Sequence, residues 1–90
     1  MQIQVEKAVS SDRLENLGVK DWPVWEKDIS EFPWSYDAQE TCYLLEGEVE
    51  VIPEQGSPVI FGKGDLVIFP AGMSCRWKIM KKVRKHYLFG

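Results

Sequence analysis

The sequence predicts a small all-β protein, a single barrel or sandwich that carries a short helical turn near its N-terminus. From about Trp22 onward, most stretches alternate polar and apolar residues with the two-residue period of a half-buried strand. Turn-forming residues recur about every eight to twelve positions between these stretches, as they do in compact sandwiches and barrels. The 90 residues provide a modest core and leave no room for a second domain, so residues 1–90 are expected to fold as one unit.

The N-terminal segment, residues 1–20, is expected to hold a strand and the helical turn. Residues 2–6, with the sequence QIQVE, alternate and predict a short edge strand. Asp12 and Glu15 have the spacing of a helix-capping box, and Gly18 follows as a typical helix stop. One or two turns of helix therefore fit between the cap and the glycine.

The rest of the chain, residues 21–90, is expected to form the barrel. Its longest predicted strand is TCYLLEGEVEVI, in which Gly47 marks a bend or bulge. Turns are predicted at PEQGSP and GKGD, where glycine supplies the positive φ that tight turns need. A strand LVIF ends at Pro70, and the strands CRWKIM and RKHYLF complete the chain.

The composition of the chain predicts its cellular location and the state of its two cysteines. No apolar run approaches the roughly 18 residues of a membrane helix, and the N-terminus has no signal-peptide core. The expected location is the cytoplasm, and no membrane partner is expected. In that setting Cys42 and Cys75 are expected to be thiols rather than a disulfide.

Charge is distributed unevenly along the chain. The net charge is −3, yet no acidic residue follows Asp65, while six cationic residues do: Arg76, Lys78, Lys81, Lys82, Arg84 and Lys85. A nucleic-acid surface is one interpretation. The favoured interpretation is that Glu46, Glu48 and Glu50, which alternate along an earlier strand, face these cations across a sheet. The chain is acidic overall and lacks a nucleic-acid motif, so no nucleic-acid partner is expected.

Two stretches have the spacing of a known pair of motifs. In residues 34–47, Trp34 and Tyr36 are followed by Glu40 and then by Gly47. This spacing matches the pattern His-x-His, three residues, Glu, six residues, Gly. Trp34 and Tyr36 stand at its two histidine positions.

The second stretch, residues 64–79, matches the partner pattern Gly, five residues, Pro-x-Gly, two residues, His, three residues, Asn. Cys75 stands at the histidine position and Ile79 at the asparagine position. The turn residues of the pattern are present as Gly64, Pro70 and Gly72. Together the two stretches resemble the paired motifs of the cupin superfamily, which implies a cupin-type β-barrel, a small jelly roll.

Residues 20–90 further resemble the compact single-domain cupins related to ureidoglycine aminohydrolase. The metal-dependent aminohydrolases of that group would imply manganese held by His and Glu or Gln. Three of the four ligand positions differ here, so we expect a metal-free pocket. A divalent metal held by Glu40 and Cys75 is the less favoured alternative. Cupins are usually homodimers, and a second copy of the chain is the expected protein partner.

Strand alternation predicts which side chains line the barrel, because successive residues point to opposite faces. If the side chains at the motif positions point inward, the lining is an aromatic box with one acid and one or two thiols: Trp34, Tyr36, Glu40, Cys42, Cys75 and Trp77. The tryptophans are then either core or a stacking and cation–π wall for a ligand. Trp22 and Trp25 precede the motifs and are expected on the outside of the barrel or at a dimer contact.

Two of these residues carry candidate chemistry. Glu40 is either a satisfied carboxylate, bonded to Tyr36 or to backbone N–H groups, or a general acid or base assisted by Tyr36. Cys75 is either a small buried hydrophobe or a nucleophile. A nucleophile needs a neighbouring base or cation, and three residues near the C-terminus are candidates: Arg84, Lys85 and His86.

These expectations define three possible functions. The first is a small-molecule enzyme that uses Glu40 and Tyr36, with Cys75 as a third catalytic candidate. The second is a non-catalytic cupin in which Trp34, Trp77 and Cys42 contribute to ligand binding. The third is a metal-dependent aminohydrolase-like enzyme, as the resemblance implies. In each case the expected partner is a small molecule inside the barrel.

Overall fold

A computed structural model describes residues 2–90, and the all-β prediction is confirmed. Within these residues one short helix accompanies seven antiparallel strands. The helix is α1 (Ser11–Leu17), followed by a 3-10 turn at Val19–Asp21. The strands are β1 (Gln4–Glu6), β2 (Val24–Lys27), β3 (Ser30–Ser35), β4 (Glu40–Pro53), β5 (Val59–Gly62), β6 (Leu66–Phe69) and β7 (Ser74–Phe89). In this described part of the chain, no helix is long and apolar enough to cross a membrane.

The two longest strands, β4 and β7, form the spine of the fold. They pair along their whole length, from Glu40 opposite Phe89 to Pro53 opposite Cys75. The first part of β4 pairs with β6 on its other side and the last part with β5. Strand β7 likewise pairs first with β3 and then with β2, while β1 extends the sheet beyond β6. Both long strands thus change partners midway, and all seven strands belong to one hydrogen-bonded sheet.

A bulge in β4 lies where the strand changes partners from β6 to β5. Glu40, Cys42 and Leu44 are buried before it, whereas Val49 and Val51 are buried after it, so the inward-facing positions change from even to odd numbers. The register shifts three times between Leu44 and Val49, which is where the parity changes.

Gly47 lies in this bulge, as the sequence predicts. Its φ is +113°, and a Cβ added there would lie 2.7 Å from the Lys82 carbonyl oxygen and 2.9 Å from the Val83 Cα. Only glycine allows the two backbones to approach this closely.

The N-terminal segment differs from the sequence prediction in one detail. Strand β1 and helix α1 are present, and Gly18 ends the helix with a φ of +70°. The predicted capping box is wrong, however. The N-cap is Ser10, whose Oγ accepts a hydrogen bond from the Arg13 N–H, and Asp12 lies in the first turn. Ser10 takes the role because its extended backbone precedes the first helical residue.

The predicted facing of acidic and basic residues is confirmed. Strand pairing places Glu46 opposite Arg84, Glu48 opposite Lys81 and Glu50 opposite Lys78. Lys81 and Glu48 also form an exposed ion pair with an N–O distance of 3.8 Å. Cations of β7 therefore lie beside carboxylates of β4, as solvated sheet surface.

Candidate functional site

A cavity of about 210 Å³ lies inside the barrel, and its walls are almost entirely aromatic. Strands β2, β3, β4 and β7 and the residue after β3 supply its lining. The aromatic members are Trp25, Phe32, Trp34, Tyr36, Trp77, Tyr87 and Phe89. The two remaining members, Glu40 and Lys85, carry opposite charges. The cavity is thus an aromatic box with a single ion pair.

The ion pair is the main polar feature of the cavity. Lys85 Nζ lies 2.7 Å from Glu40 Oε2, and the two side chains are only 6% and 3% exposed, respectively. Glu40 begins β4, and Lys85 lies on the inward face of the neighbouring β7 between Val83 and Tyr87. Buried charges of this kind are stable only when each satisfies the other. Among the described residues, the hydrogen-bond partner of the Glu40 carboxylate is Lys85, whereas the sequence interpretation expected Tyr36 or backbone N–H groups.

Two indole rings complete the surroundings of the ammonium group. Lys85 Nζ lies 4.9 Å from the ring centroid of Trp25 and 4.7 Å from that of Trp77. Both distances are within the range of cation–π attraction. The carboxylate of Glu40 and the two ring faces together stabilise a positive charge at this point of the cavity.

Trp77 and Tyr36 are held in place by specific contacts. Trp77 Nε1 donates a hydrogen bond to the Tyr36 hydroxyl oxygen at 3.1 Å. Tyr36 also stacks on Phe69, with ring centroids 4.7 Å apart. Burial raises the pKa of Tyr36 well above its ordinary value, and the nearby charge of Glu40 raises it further. Tyr36 therefore remains a neutral phenol whose O–H is available as a donor.

The second motif fixes the position of Tyr36 through the backbone. The Tyr36 N–H donates to the Met73 carbonyl at 2.9 Å, and the Gly72 N–H donates to the Tyr36 carbonyl at 2.6 Å. Strand pairing also sets Trp34 directly opposite Cys75. The two motifs recognised in the sequence are thus adjacent in space.

The mouth of the cavity is marked by its two most exposed aromatic residues. Trp34 is 46% exposed and Phe89 is 49% exposed. Trp34 packs edge-on against Phe32, and Phe89 packs edge-on against Tyr87. These rings connect the buried ion pair with the surface.

The predicted lining residues separate into two groups. Trp34, Tyr36, Glu40 and Trp77 line the cavity. Among the described residues, the lining includes neither Cys42 nor Cys75, and the expectation that both thiols face the pocket is corrected. Both are free and buried within the hydrophobic core around the cavity.

The pKa values of both thiols are also raised, which keeps them protonated at neutral pH. Burial raises the pKa of Cys42 to about 12, although the charge of Lys85 opposes the shift. Burial raises the pKa of Cys75 to about 11, with smaller contributions from Glu40 and Glu54. A buried thiol that stays protonated is a packing residue rather than a nucleophile. These observations favour the hydrophobic alternative for Cys75, and Cys42 packs in the same core.

Lys85 and Trp25 are the residues that the sequence interpretation missed. The sequence interpretation treats Lys85 as a cation that faces the glutamates of β4 or as a possible neighbour of Cys75, although counting in twos from Cys75 along β7 reaches it. Trp25 was expected outside the barrel but lies edge-on to Trp77, with ring centroids 6.1 Å apart. His86, the third candidate, is absent from the cavity lining in the described structure. Its Nδ1 lies 2.9 Å from the Trp22 carbonyl oxygen.

The residues of the cavity do not fit a metal ion. Nowhere in residues 2–90 do three or more His, Cys, Asp or Glu side chains form a group that could hold one. The one carboxylate in the cavity, Glu40, is already paired with the ammonium of Lys85. Zinc sites in proteins use three or four such donors. Manganese bound as in the aminohydrolases therefore has no matching donor set here.

Known proteins that are similar to this chain include cupin domains of the same fold. Residues 14–87 match the family model of the EutQ-like cupin domain. The crystal structure of a DUF861 family protein from Thermotoga maritima is 49% identical, with a TM-score of 0.95, over 99% of this chain and 100% of that one. A candidate ethanolamine utilization protein Q from Salmonella typhimurium is 27% identical with a TM-score of 0.68, over 99% and 69% of the two chains. No curated protein matches the sequence significantly.

Fold and cavity together define a small jelly-roll barrel of the cupin superfamily, and the cupin prediction is confirmed. The chain belongs to the family of EutQ-like cupin domains.

Proposed function

We propose that this protein binds a small, flat molecule that is neutral or anionic in the aromatic cavity of the barrel. The observation that carries the proposal is the position of Lys85. Its ammonium already occupies the space between the Trp25 and Trp77 rings and is paired with Glu40. The carboxylate and the ring faces that would attract a cationic ligand are therefore already engaged by the ammonium. The Lys85 ammonium itself attracts the partial or full negative charge of a ligand oxygen.

The size of the cavity supports a ligand of about one ring. An apolar cavity of about 150 Å³ binds benzene. The cavity here, at about 210 Å³, has room for such a ring with a polar substituent. Aromatic walls favour a flat ligand because stacked and edge-on ring contacts stabilise it beyond simple burial.

The polar end of the ligand has two donors available. The Lys85 ammonium and the Tyr36 hydroxyl both line the cavity, and both can donate to a carbonyl or carboxylate oxygen. Glu40 then holds Lys85 in position from the other side. Trp34, at the mouth, covers the apolar part of the ligand.

Tryptophan fluorescence tests this proposal, because Trp25, Trp34 and Trp77 line the cavity. We expect saturable quenching with benzoate or benzamide and none with benzylammonium, which has similar size but opposite charge to benzoate. The variant Trp34→Ala changes an exposed wall residue and is expected to weaken binding while leaving the fold intact. An exposed change away from the cavity, Lys78→Ala, is the matched control. Saturable binding of benzylammonium alone, or of none of the probes, would contradict the proposal.

The alternatives have weaker support. A metal-dependent aminohydrolase-like activity rests on the sequence resemblance to ureidoglycine aminohydrolase, and the donor set of the cavity does not favour it. A catalytic role for Cys75 is disfavoured by its burial and raised pKa. An enzyme that uses Glu40 and Tyr36 is compatible with ligand binding and would need a reactive group beside them.

Self-association and location are further parts of the proposal. Ile52 and Ile60 are 37% and 55% exposed on neighbouring strands, and they are candidates for a homodimer contact. Light scattering of the wild type and of Ile60→Lys tests this contact. We expect a dimer that the charge dissociates. A cytoplasmic location stays a prediction from the composition.

A further inference from the structure

Lys85 differs from every other lysine of the chain. It is the one buried lysine in the described structure, whereas the other seven are exposed. It is also the lysine that lines an apolar cavity and contacts a carboxylate there. A lysine amine is a nucleophile toward carbonyl compounds once its proton has passed to a base, and Glu40 lies within hydrogen-bond distance as that base.

We propose that Lys85 forms an imine with a small aldehyde or ketone in the cavity, and that Glu40 transfers the protons that this reaction requires. The inference rests on the proposed binding function and assigns a chemical class to its ligand. A flat carbonyl compound fits the requirement for a neutral molecule with one oxygen acceptor.

The first step is a proton transfer within the ion pair. Lys85 Nζ and Glu40 Oε2 are 2.7 Å apart, so a proton can pass along the existing hydrogen bond. The products are an amine and a carboxylic acid, both uncharged.

The second step joins the amine and the carbonyl compound. The lone pair of Nζ attacks the carbonyl carbon, and the C=O π electrons move to oxygen. The former carbonyl oxygen takes the proton of the Glu40 carboxylic acid. The nitrogen of the new C–N bond then returns one proton to the Glu40 carboxylate. The result is a carbinolamine beside a protonated Glu40, and no atom is oxidised or reduced.

The third step releases water. The carboxylic acid of Glu40 protonates the carbinolamine hydroxyl, the C–O bond breaks, and the nitrogen lone pair forms the C=N bond. The product is a protonated imine that replaces the ammonium as the cationic partner of the Glu40 carboxylate. Overall, one lysine ammonium and one carbonyl compound give one protonated imine and one water. The aromatic faces of Trp25 and Trp77 stabilise the imine cation as they stabilise the ammonium.

The cavity also explains why this lysine is favoured over the exposed ones. A carbonyl compound stacked between aromatic walls is held beside Nζ, so attack is effectively intramolecular. Exposed lysines such as Lys78 and Lys82 have neither a wall to hold the ligand nor a buried acid. We therefore expect selective modification of Lys85.

Reductive trapping tests the inference. The protein is incubated with benzaldehyde and cyanoborohydride at neutral pH, and the adducts are located by peptide mass spectrometry. We expect one benzyl group on Lys85, formed at least about tenfold faster than on any exposed lysine. Lys85→Arg keeps the positive charge beside Glu40 and is expected to abolish the fast adduct. Lys78→Arg is the matched control and is expected to leave the fast adduct unchanged.

Glu40→Gln tests the proton transfer separately. We expect the rate of adduct formation in this variant to fall by a much larger factor than its affinity for benzamide in the fluorescence assay, because proton transfer needs the acid while the aromatic walls still hold the ligand. Trapping at the wild-type rate in Glu40→Gln would overturn the role of Glu40. Adducts on exposed lysines with Lys85 unmodified would overturn the imine. If benzamide still binds in that case, the proposed function stands without the imine, whereas loss of both signals rejects both proposals.

Discussion

Lys85 lies 2.7 Å from Glu40 at a point where every other wall of the cavity is aromatic. The pair joins the start of β4 to the last third of β7, the two strands that form the spine of the fold. The same pair therefore holds the two long strands together and supplies the charged groups of the cavity. A carboxylate at a cupin motif position here has an ammonium partner in place of histidines.

Because the ion pair is buried, we expect removal of one of its charges to reduce stability much more than removal of both. Glu40→Gln or Lys85→Met leaves one buried charge without its partner, and we expect each single change to lower the free energy of unfolding by about 3–5 kcal/mol. The double variant removes both charges and is expected to recover much of this loss. Urea denaturation measures all three variants.

An exposed pair provides the control for this prediction. Glu6 and Arg13 are 2.9 Å apart, but both side chains are 46% exposed. Glu6→Gln is therefore expected to change the free energy of unfolding by less than about 1 kcal/mol. Equal losses in Glu6→Gln and Glu40→Gln would show that burial does not matter for the cavity pair.

The bulge of β4 leads to a second prediction. Gly47→Ala places a Cβ 2.7 Å from the Lys82 carbonyl oxygen and imposes a φ of +113° on alanine. We expect a loss of about 3 kcal/mol or more, because backbone strain and a clash act together. Thermal and urea denaturation measure it.

Gly56 separates the two causes. Its φ is +123°, but nothing lies within 4 Å of an added Cβ. Gly56→Ala is expected to cost only the backbone strain, about 1–3 kcal/mol. If Gly47→Ala were no worse than Gly56→Ala, the close approach of β4 and β7 would have no energetic role.

The buried thiols predict a dependence of stability on alkaline pH. The pKa of Cys42 is raised from an ordinary value near 9 to about 12, and that of Cys75 to about 11. Above pH 9 the unfolded chain loses thiol protons that the folded chain keeps. This favours unfolding, so the contribution of the thiols is complete below pH 9 and is lost as pH rises toward 11 and 12. Cys42→Ala should show a smaller decrease of stability across that range than the wild type.

Thiol labelling gives the same prediction a direct readout. At neutral pH we expect neither cysteine to react with a mild aromatic disulfide reagent until the protein unfolds. Both should then react completely in denaturant. Rapid and selective reaction of Cys75 in the native protein would restore the nucleophile interpretation.

The sequence predicted the turns and the inward face of the first motif because these depend on local rules. A glycine inside a predicted strand indicates a bulge, as it does at Gly47. The even spacing of Tyr36 and Glu40 in the motif predicts that both side chains point to the same face. Lys85 was not assigned to the interior for two physical reasons. Lysine is rarely buried, and the count from Cys75 to Lys85 passes Lys81, an exposed residue where the register shifts.

Trp25 was misplaced for a related reason. Strand β2 has only four residues, and both Val24 and Trp25 are apolar, so alternation alone does not decide which one points inward. The deciding interactions come from β7, whose Lys85 and Trp77 contact the Trp25 ring. Such contacts join residues more than 50 positions apart, and no local pattern contains them.

The last prediction concerns metal content. Glu40 is engaged by Lys85, and no group of three donor side chains exists within the described residues. We expect protein purified without chelator to contain less than stoichiometric manganese or zinc by elemental analysis. A chelator should leave the unfolding midpoint unchanged, since a metal that stabilises the folded state would lower it on removal. A stoichiometric metal whose removal lowers the midpoint would instead support the aminohydrolase-like alternative and would require Glu40 to exchange Lys85 for the ion.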